Sequence, residues 1–261
     1  MSMNAHTLIA RVAALTGHGP GIEEYVTFGD PSRDISSILV AWCVDDAVID
    51  AAVAQGCDCI VHHESLLHPY PLGTGNRERE YLAWPVNQHK LARLQEHRLV
   101  CCRLHASADE LVIYRAEAAS LELGDGFSDG EYYFSRVFQS PVTTFGELIG
   151  LVKRRWKMPS VRVYGDVARK VSTIGLAWGG MGLFVNVGYL QRMVRLGADT
   201  IVCGETDSMG FRFCVEQQLP IIETSHEASE NTGLREFASF LERTFSLPTM
   251  FYEIAPVWRI A

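Results

Sequence analysis

The chain carries one passage twice. Residues 56–64 read GCDCIVHHE and residues 197–205 read GADTIVCGE, sharing Gly, Asp, Ile, Val and Glu without a gap. Upstream, ISSILVAW (35–42) matches VSTIGLAW (171–178); downstream, LHASAD (104–109) matches SHEASE (225–230). Three matches in one order make the two halves copies of a single unit with different insertions. Whatever buries the first passage must bury the second in the same way.

The unit is an α/β one. ISSILVAW, with its β-branched and apolar run, is a buried strand, and DAVIDAAVAQG (46–56) is a helix ending at Gly56. DCIV (58–61) is a strand, 68–85 a loop rich in Pro, Gly and charge, NQHKLARLQEH (87–97) a helix, and RLVCCRL (98–104) a strand. Residues 107–121 read as a helix and 124–130 as a turn cluster. The second half follows suit. EYYFSRVF is a strand, TTFGELIGLVKRRW a helix opened by a Thr cap with an acid three residues on, and SVRVYG and KVSTIGLAW are strands. FVNVGYLQRMVRLG, SMGFRFCVEQQ and EASENTGLREFASFLERTF are helices separated by the strands ADTIVCG and LPIIET. Alternation of this kind predicts two similar α/β halves with largely parallel sheets, 1–125 and 126–261, packed as one compact unit.

Composition limits the partners. A chain of 261 residues, 48% hydrophobic and 21% charged, has ample material for a core. A formal charge of -8 disfavours nucleic acid and anionic membranes. The basic run KRRWK (153–157) reads as a solvated helix face. Seven cysteines, most in apolar strand-like runs and none in a C-x-x-C, behave as small hydrophobes rather than as a zinc ribbon. No signal-peptide pattern opens the chain and no apolar run reaches spanning length, so a cytoplasmic, reducing setting is expected.

The chemistry sits where the repeated strands end, which is where ligands bind in α/β sheets. Each copy offers a His followed four residues later by a carboxylate: His105/Asp109 and His226/Glu230. On a helix these share a face. The first copy adds His62 and His63, where the second has Cys203 and Gly204. Imidazole and carboxylate are the common ligands of Zn, Mn and Fe. So many donors suit two divalent ions about 3.5–4 Å apart better than one tetrahedral zinc. Neighbouring strand side chains point to opposite faces, so His62 and His63 reach one centre only if the backbone turns there. Glu64 and Glu205 also recur, either as proton-transfer groups or as ion-pair partners. AWGGMG (177–182) is either an anion cradle at a helix start or, better, a plain tight turn.

With these residues the chain resembles the Nif-three-like family, the YbgI-type dinuclear metal centre proteins, some of which carry the label GTP cyclohydrolase I type 2. The carrying motifs are IVHHE, HASAD, CGE and SHEASE, in family order over nearly the whole chain. The resemblance implies two α/β halves with a dinuclear metal site in the cleft between them. Its ligands carry over onto His62, His63, Asp109, His226 and Glu230. His105 is then a close neighbour rather than a firm ligand, with Glu64, His105 and Glu205 left to move protons. It also implies a toroidal homohexamer, and two divalent ions per chain (Zn, Fe or Mn) acting on a small molecule of unknown identity.

The chain departs from that pattern in places. IEEYVTFGDP stands where the family has Trp-Asp-Asn-x-Gly, Cys43 replaces a strand-end Asp, HASAD lacks Thr-Asn, and Met209 falls where a His often follows Thr-Gly-Glu. The expected function is a metal-dependent hydrolase, cyclohydrolase-like or acting on phosphoesters or nucleotides. The alternative is a non-catalytic, metal-stabilised adaptor or regulatory protein.

Overall fold

The computed structural model describes residues 3–17, 19, 21–69, 78–130 and 136–258. In chain order the elements are α1 (Ala5–Leu15), β1 (Tyr25–Phe28), β2 (Ile38–Ala41), α2 (Asp46–Ala54), β3 (Cys59–His62), α3 (Glu78–Leu82), α4 (Pro85–Glu96), β4 (Val100–Arg103) and α5 (Ala106–Ala108). A single π-helical turn, Asp109–Ile113, leads into α6 (Tyr114–Ser120). Then come β5 (Val137–Gln139), α7 (Phe145–Arg155), β6 (Arg162–Tyr164), β7 (Thr173–Ala177), α8 (Val187–Arg195), β8 (Thr200–Cys203), α9 (Ser208–Glu216), β9 (Ile221–Glu223), α10 (His226–Phe245) and β10 (Thr249–Tyr252).

These elements form two compact units, each with a five-stranded sheet. The first unit takes Met1–Val112 and Leu234–Glu253; its sheet runs β1-β4-β3-β2-β10. The strands β4, β3, β2 and β10 are parallel, and β1 is antiparallel to β4. The second unit takes Ile113–Gly233 and Ile254–Ala261; its sheet runs β5-β7-β8-β9-β6. There β7, β8 and β9 are parallel and both edges antiparallel. The repeat is therefore visible in three dimensions. The parallel triplets β2-β3-β4 and β7-β8-β9 carry the matched passages in the same order, and β1 and β6 close the same side.

The expected seam lay between residues 125 and 126. The contacts divide the chain at Val112/Ile113 instead, and Leu234–Glu253 joins the first unit because β10 pairs with β2 along Ile38–Ala41.

Burial explains why the triplets hold. Every residue of β2, β3, β4 and β8 is buried, as strands covered on both faces must be. In the second unit Leu190 and Met193 of α8 pack on Ile201, Cys203 and Ile221, with Cys214 of α9 in the same cluster. Helix α7 starts on the expected capping box. The Thr144 hydroxyl accepts from Glu147 N–H at 3.3 Å, and the Glu147 carboxylate accepts from Thr144 N–H at 3.0 Å. Its last turn carries Lys153, Arg154 and Arg155, where positive charge favours the helix C-terminus, and Arg155 pairs with Glu122.

Three elements depart from the sequence expectation. The edge strands β1 (YVTF) and β10 (TMFY) are only four residues each and partly buried, too short to show a period although their residues favour strands. The stretch 68–85 is not all loop, since α3 lies within it and Tyr81 packs edge-on against Trp84 with ring centroids 5.3 Å apart. The strand expected over residues 131–138 falls mostly outside the described residues; Val137–Gln139 is the part described. Among the described residues no helix is long and apolar enough to cross a membrane.

Candidate metal centre

In the first unit, β3 ends at His62, still in register with Ala41 and Arg103. The backbone then turns, and His63 N–H reaches back to the carbonyls of Ala41 and Trp42 at 3.3 and 3.1 Å. The two histidines consequently face different surroundings. His63 is buried. Its Nδ1–H donates to the Leu104 carbonyl at 3.2 Å, which leaves the Nε2 lone pair toward Asp109, 3.7 Å from Oδ1. A histidine that spends one nitrogen on a backbone carbonyl and offers the other to a carboxylate-lined site is oriented as metal-binding histidines are.

His105 and Asp109 come from the strand end after β4. Asp109 N–H bonds to the His105 carbonyl at 3.0 Å across α5, so the two side chains share a face, with Nδ1 3.7 Å from Oδ2. The His105 ring stacks on His63, centroids 4.2 Å apart and planes 15° off parallel. Ligand atoms of His63, His105 and Asp109 all lie within 4.8 Å of one another. Two imidazoles and a carboxylate are the donor set of a divalent transition ion, so these residues fit such a group.

Two carboxylates surround His105. Glu64 Oε1 lies 3.3 Å from its Nε2 and Glu23 Oε2 3.2 Å from its Nδ1. Burial works against a charge on His105, but the hydrogen bonds to Glu23 and Glu64 and the nearby Asp109 outweigh it and raise its pKa to about 10. The hydrogen bond from His105 in turn pulls Glu23 down to about 2, against burial and with help from Arg103. Arg103 is buried; it donates to the His63 carbonyl at 3.0 Å and lies 3.6 Å from Glu23.

His62 is fully buried and turned elsewhere. Its Nδ1 donates to the Glu64 carbonyl at 2.7 Å, and its Nε2 accepts from the Thr27 hydroxyl of β1, also at 2.7 Å. Burial is the main force pushing its pKa down to about 4, so the ring is neutral.

The second unit presents the matching pair. His226 and Glu230 lie one turn apart at the start of α10, Nε2 3.6 Å from Oε1, while His226 Nδ1 sits 3.0 Å from Glu205 Oε2. Glu230 is 2% exposed. A glycine strap lies against the pair. Gly179 has φ of +56°, its N–H donates to Ser229 Oγ at 2.8 Å, and its carbonyl accepts from Glu205 N–H at 2.8 Å. A Cβ there would overlap Glu230 Oε1 and come within 3.1 Å of His226 Nε2. Gly179–Gly182 forms a tight 3₁₀ turn that leaves room for the His226 and Glu230 side chains. Gly204, at the place of His63 in the repeat, is equally confined: a Cβ would overlap Ser229 Oγ and sit 2.6 Å from Gly179 N.

The sequence did not point to Glu23, Glu24, Thr27 or Arg103. Glu24 is buried; its Oε2 accepts from Gly21 N–H and its Oε1 from Ser107 N–H, each at 2.9 Å, so it caps the turn that carries Asp109. The available signal was the acidic pair in IEEYVTFGDP, the segment that departs from the family pattern.

The chain is similar to known proteins over most of its length. The family model Duf34/NIF3 (NGG1p interacting factor 3) matches residues 21–256. A curated relative, a GTP cyclohydrolase 1 type 2 homolog from Yersinia pestis, is 24% identical over 234 residues, 85% of each chain. Among solved structures, Staphylococcus aureus protein SA1388 superposes with a TM-score of 0.78 at 14% identity, over 99% of both chains. A Bacillus cereus protein related to NIF3 gives 0.77 at 12% identity, over 100% of this chain and 99% of that one.

Proposed function

The chain belongs to the Duf34/NIF3 family, and on that premise we propose that it is a metal-dependent hydrolase binding two divalent ions per chain. The carrying observation is His63, a buried imidazole with Nδ1–H bonded to the Leu104 carbonyl and Nε2 3.7 Å from Asp109 Oδ1. The second copy of the motif, His226 with Glu230, supplies ligands of the same chemistry. When bound, divalent ions in such sites lower the pKa of a bound water toward neutrality and polarise a carbonyl or phosphoryl oxygen.

The chain's own groups supply the rest. Glu64 and Glu205 each present a carboxylate to a site histidine, at 3.3 and 3.0 Å, and are the groups assigned to take a proton from the nucleophile. His105, between Glu64 and Glu23, can pass that proton away from the reacting atoms. Arg103 holds the His63 carbonyl and Glu23 in place. Substrates with a phosphoryl group or a nucleotide ring are the reading to test first, the relative's name suggesting GTP among them.

The test is purified protein stripped by chelator, reloaded with Zn, Mn or Fe, and assayed on nitrophenyl phosphates, cyclic and linear nucleotides and GTP. Turnover that needs the ion and disappears in His63→Ala while the fold persists is the expected result. About two ions bound with no turnover on the whole panel would sink the hydrolase reading and leave a metal-stabilised adaptor.

A further inference from the structure

Glu117 is a fully buried acid that the chemistry proposed above does not use. It stands on α6, and its Oε1 accepts the Gly233 N–H at 2.7 Å. Gly233 lies inside α10, three residues after Glu230, where a main-chain N–H ordinarily serves the carbonyl four residues back. A side chain that enters this ladder is one of the few things that bends a helix, and here it enters just beyond the turn that carries His226 and Glu230. Gly233 also has no room for a side chain of its own. A Cβ there would sit 2.7 Å from Ile113 Cα and 2.9 Å from Ile113 Cβ. Ile113 immediately precedes α6, so the start of α6 lies directly on the α10 backbone. The same start reaches the glycine strap. The Tyr114 ring centroid is 5.0 Å from that of Trp178, the residue before Gly179, and a Cβ on Gly179 would overlap Glu230 Oε1. One short helix therefore braces both segments that adjoin Glu230, the strap and the next turn of α10. A buried carboxyl group loses solvation that an apolar residue of the same size would not. At this position it makes a specific contact in exchange, with the backbone of the ligand-bearing helix.

We infer that Glu117 is a positioning residue for the ion ligands of the second unit: by holding the Gly233 amide it sets the turn of α10 from which His226 and Glu230 reach an ion. The inference rests on the reading of His226 and Glu230 as ligands. Glu117 acts through the α10 backbone. What matters is an acceptor oxygen at the reach of a glutamate, with Ile113 against Gly233 as the stop that fixes the spacing.

The experiment is a Co(II) titration of the full-length protein. The visible absorption band reports the ligand field, elemental analysis gives ions per chain, and circular dichroism checks the fold. His226→Ala serves as the reference that shows which part of the band and of the uptake depends on this pair. Glu117→Leu fills the same space without an acceptor; it is expected to weaken that part of the binding by roughly tenfold or more and to change the band, the size of effect that losing a ligand's supporting partner produces. Glu117→Gln keeps one acceptor oxygen for the Gly233 N–H and is expected to shift affinity less than about threefold and leave the band alone. A purely structural Glu117 would lower the melting temperature of both variants and leave the band and affinity of the folded protein unchanged. Wild-type protein gives a reading that no misfolded variant can obscure. Coupling is reciprocal, so saturating Co(II) should slow hydrogen exchange of the Gly233 amide. Folded Glu117→Leu that binds Co(II) like wild type, Glu117→Gln that loses as much as the leucine, or Gly233 exchange indifferent to the ion overturns the inference and leaves the hydrolase reading in place. Wild-type protein that takes up no ion overturns both. Ion uptake without turnover leaves this assignment standing and removes only the hydrolase.

Discussion

Glu24→Gln should destabilise the first unit far more than its single-atom change suggests. The wild-type carboxylate is buried and accepts two backbone N–H bonds, from Gly21 and from Ser107. Glutamine keeps one acceptor oxygen but sets its NH2 against the other backbone N–H, donor to donor. A hydrogen bond to a charged group contributes about 1.5–3 kcal/mol, and a buried donor left unsatisfied costs about 1–3 kcal/mol. These overlap as one event, so a net loss of about 2–3 kcal/mol is expected, roughly a 30- to 150-fold change in the opening equilibrium. Amide hydrogen exchange reads it locally, with protection at Gly21 and Ser107 falling by that factor, and urea unfolding reads it globally. Because Ser107 sits in the turn between His105 and Asp109, ion affinity at the first unit should fall as well. A change below about 0.5 kcal/mol with both amides still protected would refute the reasoning and make Glu24 a bystander.

Other outcomes follow from the same geometry. Gly179→Ala places a Cβ against Glu230 at a positive φ; the left-handed backbone alone costs about 1–2 kcal/mol, and calorimetry should show weakened ion binding at the second unit. Arg162→Ala leaves the buried Glu223 without its two 2.6 Å bonds; since Arg162 is half exposed, a discounted loss of about 1–3 kcal/mol is expected in urea unfolding. Glu147 is held below the ordinary glutamate range by the Thr143 hydroxyl and by the Thr143 and Thr144 amides. Its contribution is present above the unfolded pKa and lost as pH falls through the folded one, so Glu147→Gln should flatten the acid side of the melting-temperature profile. Chelation should lower the melting temperature of the loaded protein; an ion at about 100 times its Kd adds about 2.7 kcal/mol of stability.

Most of the fold was legible because the chain repeats itself. Periodicity placed the parallel strands, and duplication located the strand ends that matter, since an isolated His-x-x-x-acid carries little weight until it recurs at an equivalent place. The edge strands were hidden because four residues, YVTF in β1 and TMFY in β10, are too few to show a period, and it is pairing with β4 and β2 that completes them. The same physics hid part of the site. Glu23, Glu24 and Thr27 belong to a stretch without pattern, and what gives them a role is the antiparallel return of β1 beside β4, which no local rule announces. The sequence did supply one constraint on His62 and His63, the opposite facing of neighbours on a strand; it could not say which of the two would turn.

Gly204 limits how alike the two copies can be. Where the first copy carries His63, the second has a residue with no side chain, and the space a Cβ would need is taken by Ser229 and the Gly179 backbone. The two strand ends are therefore not interchangeable. One carries an imidazole; the other carries none, and a glycine strap lies against His226 and Glu230 beside it. A histidine placed at residue 204 would collide with Ser229 and the Gly179 backbone. Making the second copy like the first would need the strap, Ser229 and residue 204 to change together.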